Sequence, residues 1–263
     1  VEENRYIRNE RMSIGQIYSE SFRIFKENWL TYLVAAVTTG IVLGCANGLS
    51  FLFGQSRVYS LLLTIINIIA TAIITTLYIG TAYNSMREDR KEIGALIGAK
   101  IIPIALTQLL LYVLLFIPGF IVMFGAIQFM LHTASSGSII VITIMIFAIA
   151  IPVGLKMAFL LHSIVLSDQH YLSAIKWSFS KTKGEVLRII AINIAPLSIA
   201  IVAQLVNAKG AWFSGMGALI SLVILGVIGA IIGVIVVIAM TVLYIDKVFE
   251  QENTQIGETL TYG

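Results

Sequence analysis

Five stretches of at least 20 residues carry no charged residue: 29–56, 58–86, 101–155, 189–208 and 210–245. The third is 55 residues long. As one helix it would reach about 80 Å, against a hydrocarbon thickness of about 30 Å. It must therefore fold back on itself, and Thr133-Ala134-Ser135-Ser136-Gly137-Ser138 is its only polar, turn-forming cluster. A soluble fold needs polar surface to cover its core. With 58% hydrophobic and 12% charged residues, against about 25% charged in soluble domains, this chain does not have that surface. In lipid every backbone polar group must be satisfied within its own segment, which leaves helices. The short alternating strands of a membrane barrel are missing. The expected fold class is all-α: a polytopic membrane bundle of six transmembrane helices at about 29–53, 58–85, 101–127, 138–166, 187–207 and 215–245.

The basic residues orient such a bundle. Assigning alternate connections to one side places 14 Lys and Arg there and only Arg57 and Lys209 on the other, with Lys156 left inside an apolar run. Lys and Arg in short loops stay cytoplasmic. The pattern predicts a multi-pass protein of the cytoplasmic (inner) membrane with both termini inside. It divides the chain into a cytoplasmic N-terminal segment (1–28), a transmembrane domain (29–246) and a cytoplasmic tail (247–263). The net charge of +3 does not point to nucleic acid, because the basic residues are spread over separate loops and mixed with acids. Their counter-charge is the anionic inner leaflet. No secretory signal peptide is visible at the start of the sequence. Cys45 is the only cysteine, so no internal disulfide forms, and its apolar setting reads as packing.

Three segments on the basic side read as amphipathic helices lying in the interface. Ser13–Asn28 spaces Ile14, Ile17, Tyr18, Phe22 and Phe25 helically. Glu92–Lys100 does the same with Ile93, Leu96 and Ile97, and Tyr171–Gly184 with Leu172, Ile175 and Phe179. The alternative for each is a solvated loop with incidental hydrophobics. Ser21-Phe22 with Lys26 matches Ser178-Phe179 with Lys183, and Ala95-Leu96 with Lys100 fits the same frame. Each segment precedes a pair of spans, which predicts a threefold pseudo-repeat of interfacial helix plus hairpin.

One stretch carries a resemblance. It runs from Leu155-Lys156 through Ile164-Val165-Leu166 and Ala174-Ile175-Lys176-Trp177-Ser178-Phe179-Ser180-Lys181-Thr182-Lys183-Gly184 to Leu187-Arg188-Ile189. It resembles the membrane domain associated with bacterial glycerophosphodiester phosphodiesterases, and the stand-alone six-span proteins of that group. Ile14-Gly15-Gln16-Ile17 through Phe22 to Trp29 is similar to the family's N-terminal helix. The resemblance implies a basic residue in span 4 and a helix of the form A-x-x-x-S-x-x-x-T-x-G before span 5. This chain departs from the pattern at His162, where the family often has Pro, and at Ser167-Asp168, where it often has Glu. The few residues after Ile245 leave no room for the catalytic domain of the fused members, so the resemblance implies a fold and not that activity.

Lys156 is the sharpest single candidate. Twelve residues before Asp168, it stands about 18 Å along a helix from that end. A charge at such depth costs about 3 kcal/mol on insertion scales. It reads as a contact for an anion or lipid headgroup or as a gating ion pair; the alternative is a lysine that snorkels to the interface. No acid lies within a span, so its polar company would be carbonyls, Asn67, Gln108, Asn193, Gln204, tyrosines or a ligand. Trp29, Phe22, Phe25, Lys26, Phe179 and Lys183 are the candidate interfacial, lipid-contacting residues. His162, Asp168 and His170 cluster in sequence but straddle a helix end, so no metal site is assigned. No cofactor is expected. Pro118-Gly119 and Asn193 with Pro196 mark kinks. Ala36, Gly40, Gly44 and Gly48, with Gly229 and Gly233, form small-residue ladders for close helix packing. Nucleophile elbows, phosphate loops and zincin motifs are missing.

These readings leave three functional expectations. The first is a non-enzymatic membrane protein engaging lipid, an amphiphilic peptide, or a partner membrane complex or second copy of itself, in a scaffold, assembly or self-protection role. The second is a channel or facilitator with a cavity lined by Lys156, Asn193 and Gln204. The third, a lipid-headgroup enzyme, rests on the resemblance alone.

Overall fold

The computed structural model describes residues 11–38, 57–87, 90–111, 113, 151–194, 198 and 231–248, and all regular secondary structure among them is helical. The helices are α1 (Ile14–Glu27), α2 (Trp29–Thr38), α3 (Arg57–Met86), α4 (Ile93–Leu111), α5 (Ile151–Leu166), α6 (Tyr171–Lys181), α7 (186–194) and α8 (Ile231–Val248). Three of them, within α3, α4 and α8, are long and apolar enough to cross a membrane. The remaining parts of the expected spans lie outside the described residues. So do Cys45, the 133–138 turn, Pro118-Gly119, Pro196, Gln204 and the glycine ladders apart from Ala36 and Gly233.

Local chemistry starts α1 where its sequence says it should. Ser13 Oγ accepts from the Gln16 N–H at 3.3 Å, and Gln16 Oε1 accepts from the Ser13 N–H at 2.8 Å. This reciprocal cap satisfies two otherwise orphaned donors. Asn28 marks the junction to α2, yet the helical bonding passes through it: its N–H donates to Ile24 and its carbonyl accepts from Tyr32. Its side chain also reaches Ser85 Oγ at 2.8 Å, pinning the junction to the end of α3.

α8 is the most enclosed long helix, with half of its apolar window buried against 22% for those of α3 and α4. One core gathers Ile17 and Ile24 of α1, Tyr32 of α2, Tyr78 and Ala82 of α3, Phe159 of α5, Ile189 and Ile192 of α7 and most of α8. A second joins Ala72 and Ile79 of α3, Leu96 and Ile104 of α4, Leu160 and Ile164 of α5 and Ala174 of α6. α3 and α5 stand in both, so they couple the two halves. Gly80 permits the close α3–α4 approach: a Cβ there would lie 2.9 Å from Ile93 Cδ1 and from Leu96 Cδ2.

Three expectations gain detail. Glu92–Lys100 does not end before a span, because α4 runs without interruption from Ile93 to Leu111. The amphipathic pattern there reflects one face of the helix meeting α3 and α5. Second, the apolar stripe of α6, which reads as interfacial, is exposed at two of its three positions, and Ile175 is half-buried. Ala174 and Ser178 are buried, while Leu172 and Phe179 are 63% and 40% exposed. Small side chains let α6 lie close to its neighbours, so they take the inner face. Third, of the positions that the pseudo-repeat aligns, Ser21 and Ser178 are buried and Ala95 is exposed.

Candidate functional site

Lys156 stands where α5 breaks. The Phe159 N–H donates to Ser178 Oγ at 3.2 Å instead of to a carbonyl one turn back, and the Leu160 N–H turns to Met157 at 3.0 Å. The Lys156 carbonyl, released by the break, accepts from Ser178 Oγ at 2.8 Å and Thr182 Oγ1 at 3.5 Å. Ala174, Ser178 and Thr182 are all fully buried, four residues apart along one line of α6. Gly184 closes the motif with φ +84°, a left-handed backbone that a side chain would strain. The A-x-x-x-S-x-x-x-T-x-G pattern is thus a docking face whose hydroxyls satisfy an opened helix, in line with the rule that freed backbone in lipid must be re-paired within protein. Among the described residues the half-buried Lys156 ammonium forms no hydrogen bond or ion pair.

The other sequence candidates are dispersed. Asn193 is half-buried on α7, where Nδ2 donates to Ile189 O at 2.8 Å and approaches Met240 Sδ at 3.8 Å. Asn67 and Gln108 are half-buried on α3 and α4. Phe22 and Trp29 are more than half exposed, Lys26 and Lys183 are exposed, and Phe25 stacks on Tyr32 at 5.9 Å. His162 bonds Thr241 at 3.2 Å and stacks against Tyr244, whose hydroxyl meets Ser167 Oγ at 2.6 Å and accepts from Trp177 Nε1 at 2.9 Å. Asp168 pairs with Lys100 instead. Among the described residues no three His, Cys, Asp or Glu side chains converge as a metal set.

A charged knot, formed by residues that the span reading passed over, ties the chain's distant parts together. Glu185 is fully buried in the turn between α6 and α7. It meets Arg11 at 2.5 Å, Arg188 at 2.8 Å and Lys247 at 3.5 Å. Arg188 also pairs with Asp246 at 2.8 Å and donates to the Met12 carbonyl at 2.5 Å, and Asp246 accepts from the Met12 N–H at 3.3 Å. The i, i+3 spacing of Glu185 and Arg188 beside an apolar run was the available signal.

At the opposite flank of α5 sits Lys100, 5% exposed on α4, its ammonium held by the Asp168 carboxylate. That hydrogen bond holds Asp168 below the usual carboxylate range against the opposing effect of burial, and the charges of Lys100, Lys91 and His170 add to it. Asp168 and Tyr171 both take left-handed backbone, φ +52° and +51°, which is unfavourable for residues with a side chain. Lys100 on the first, and Thr107 Oγ1 accepting from the Tyr171 N–H at 3.2 Å, hold the turn in place.

An apolar groove of about 730 Å³ runs between α2 and α3. Leu30, Val34 and Thr38 line one wall and Ile66, Ile73 and Leu77 the other; Lys156 and Asn193 take no part. The walls extend for about 12 and 16 Å along their helices. The volume falls within the usual range of small-ligand sites, about 300–1,000 Å³, and the lining offers almost no polar group, so it suits an alkyl chain or an apolar side-chain stripe. No family model matches this chain, and no curated protein and no solved structure matches it.

Proposed function

We propose that this protein is a non-enzymatic, multi-pass protein of the cytoplasmic membrane, both ends inside, that engages an amphiphile through the groove between α2 and α3. The amphiphile is a lipid, an amphiphilic peptide or the apolar face of a partner membrane protein, and the role is scaffolding, assembly or self-protection. The observation that carries this reading is the groove itself: a long apolar trough of about 730 Å³ beside the exposed Trp29. Two of its lining residues, Thr31 and Thr38, supply the only hydroxyls. Such a lining recognises shape and apolar length and holds no carboxylate, imidazole, thiol or amine for acid or base chemistry.

The test is photo-crosslinking of the reconstituted chain with a phosphatidylcholine bearing a diazirine on its acyl chain, and in parallel with a diazirine-labelled amphipathic helical peptide. Adducts should concentrate on the walls of the groove, and Ala70→Trp, which fills it, should reduce them severalfold. Adducts spread evenly over every outward helix face, unchanged by Ala70→Trp, would refute the reading.

A second reading, a channel or facilitator, draws on the break in α5 beside the half-buried Lys156. Under it Lys156→Met abolishes anion flux in vesicles while expression holds, and unchanged flux rules it out. The lipid-headgroup enzyme keeps only the resemblance as support.

A further inference from the structure

We infer that the outer face of α6 is a binding surface for anionic phospholipid headgroups. The inference rests on the chain lying in a bilayer and not on the groove. Leu172, Lys176 and Phe179 succeed one another at intervals of four and three, so they fall on one narrow stripe of α6, and Lys183 follows two residues beyond its end, in the turn toward α7. All four are exposed. The stripe points away from Ala174, Ser178 and Thr182, whose burial against α5 fixes the rotation of the helix. Two apolar anchors thus alternate with two ammonium groups along a face that packing has left free. Lysine stems lying along an apolar surface with their heads in the headgroup layer are the expected arrangement at a membrane boundary.

Charge makes the assignment specific. From Gln169 to Ile194 the only acid is Glu185. Glu185 is fully buried in its knot of Arg11, Arg188 and Lys247. Asp168, just before α6, is turned onto Lys100. No exposed carboxylate on α6 neutralises Lys176 or Lys183. α1 differs in its balance: Arg23 is clamped between Glu20 and Glu27, both at 2.5 Å, and with Lys26 its two cations and two acids cancel. The two helices are therefore not equivalent: α6 carries Lys176 and Lys181 and no acid, so it presents net positive charge beside its apolar anchors.

The experiment uses the full chain in nanodiscs of equimolar phosphatidylglycerol and phosphatidylcholine, with retained lipids identified by native mass spectrometry. The unsubstituted chain should retain phosphatidylglycerol preferentially. Because a lysine near an anionic surface is worth about fivefold in attraction, Lys176→Gln should cut the preference about fivefold and the pair Lys176→Gln/Lys183→Gln about thirtyfold. Lys176→Arg/Lys183→Arg should keep it. Arg90→Gln removes the same charge from a loop where Glu88, Asp89 and Glu92 stand close in sequence, and should leave the preference within about twofold. Leu172→Ser/Phe179→Ser should lower retention of both lipids alike. An undiminished preference in the Lys176→Gln/Lys183→Gln chain would overturn the proposal. So would an equal fall in Arg90→Gln, which would mean that net charge alone is at work. Groove crosslinking that fails while this preference holds would count against the groove alone.

Discussion

Replacing Glu185 by Gln keeps the shape of the side chain and removes its charge from a site with no solvent access. Three cations then lose a counter-charge, but unequally. Arg11 is 46% exposed along its side chain and recovers hydration. Arg188, 16% exposed, keeps Asp246 at 2.8 Å. Lys247, 11% exposed, loses a carboxylate at 3.5 Å. Breaking a buried pair by removing one partner costs about 3–5 kcal/mol. The exposure of Arg11 and the retained Asp246 contact place Glu185→Gln near the lower end, about 3 kcal/mol. Asp246→Asn, which touches Arg188 and the Met12 N–H, should cost less. In a chain of this size about 3 kcal/mol lowers a reversible midpoint by about 6–12 °C. The assay is thermal unfolding in detergent, with the Glu185→Gln/Arg188→Gln double variant completing a cycle. The two substitutions should be strongly non-additive, because each removes the same contact. A Glu185→Gln chain melting within a degree of the parent, or additive effects in the cycle, would refute the claim that this knot is buried and mutually dependent.

Ser178→Ala leaves the Phe159 N–H and the Lys156 carbonyl short of a partner, with only the 3.5 Å Thr182 contact remaining to the carbonyl. The expected loss is about 2 kcal/mol, read by the same melting assay, whereas Ser180→Ala on the exposed face should be nearly silent. Asp168→Asn tests the Lys100 contact through pH. The folded-state pKa of Asp168 is depressed, so its contribution is complete above about pH 4 and is lost as pH falls through the lower folded value. The Asn variant should therefore melt below the parent at pH 7, by about 1 kcal/mol because the carboxylate is 79% exposed and screened, and the gap should close on acidification below about pH 4. A gap that persists or widens in acid would show that the carboxylate is not the group at work.

Hydropathy and helix capping act over a few residues, and what depends on them could be read directly. Uncharged runs longer than any soluble core requires predicted apolar helices, and α3, α4 and α8 are such helices. Ser13 with Gln16 begins α1, and Gly184 ends the motif in a left-handed turn. The small residues of α6 could also be read as a motif, although not what they touch. What the sequence left undecided was which side of each amphipathic helix meets protein. On α6 the small residues turn inward while Leu172 and Phe179 of the apolar stripe stay exposed, which suits a bilayer boundary because lipid is as apolar as a core.

The sequence by itself determined the material of this protein: helices, their apolar character, and an expected threading set by the distribution of lysine and arginine. Those properties follow from the free energy of each segment in lipid, which its own residues set. Only the tertiary structure decided that the carbonyl of Lys156 would be capped from α6, that Glu185 would meet Arg11 across 174 positions, and that Lys100 would be buried beneath Asp168. A buried charge or an opened helix is tolerable only when a partner arrives from elsewhere in the chain, and nothing local to either residue names that partner.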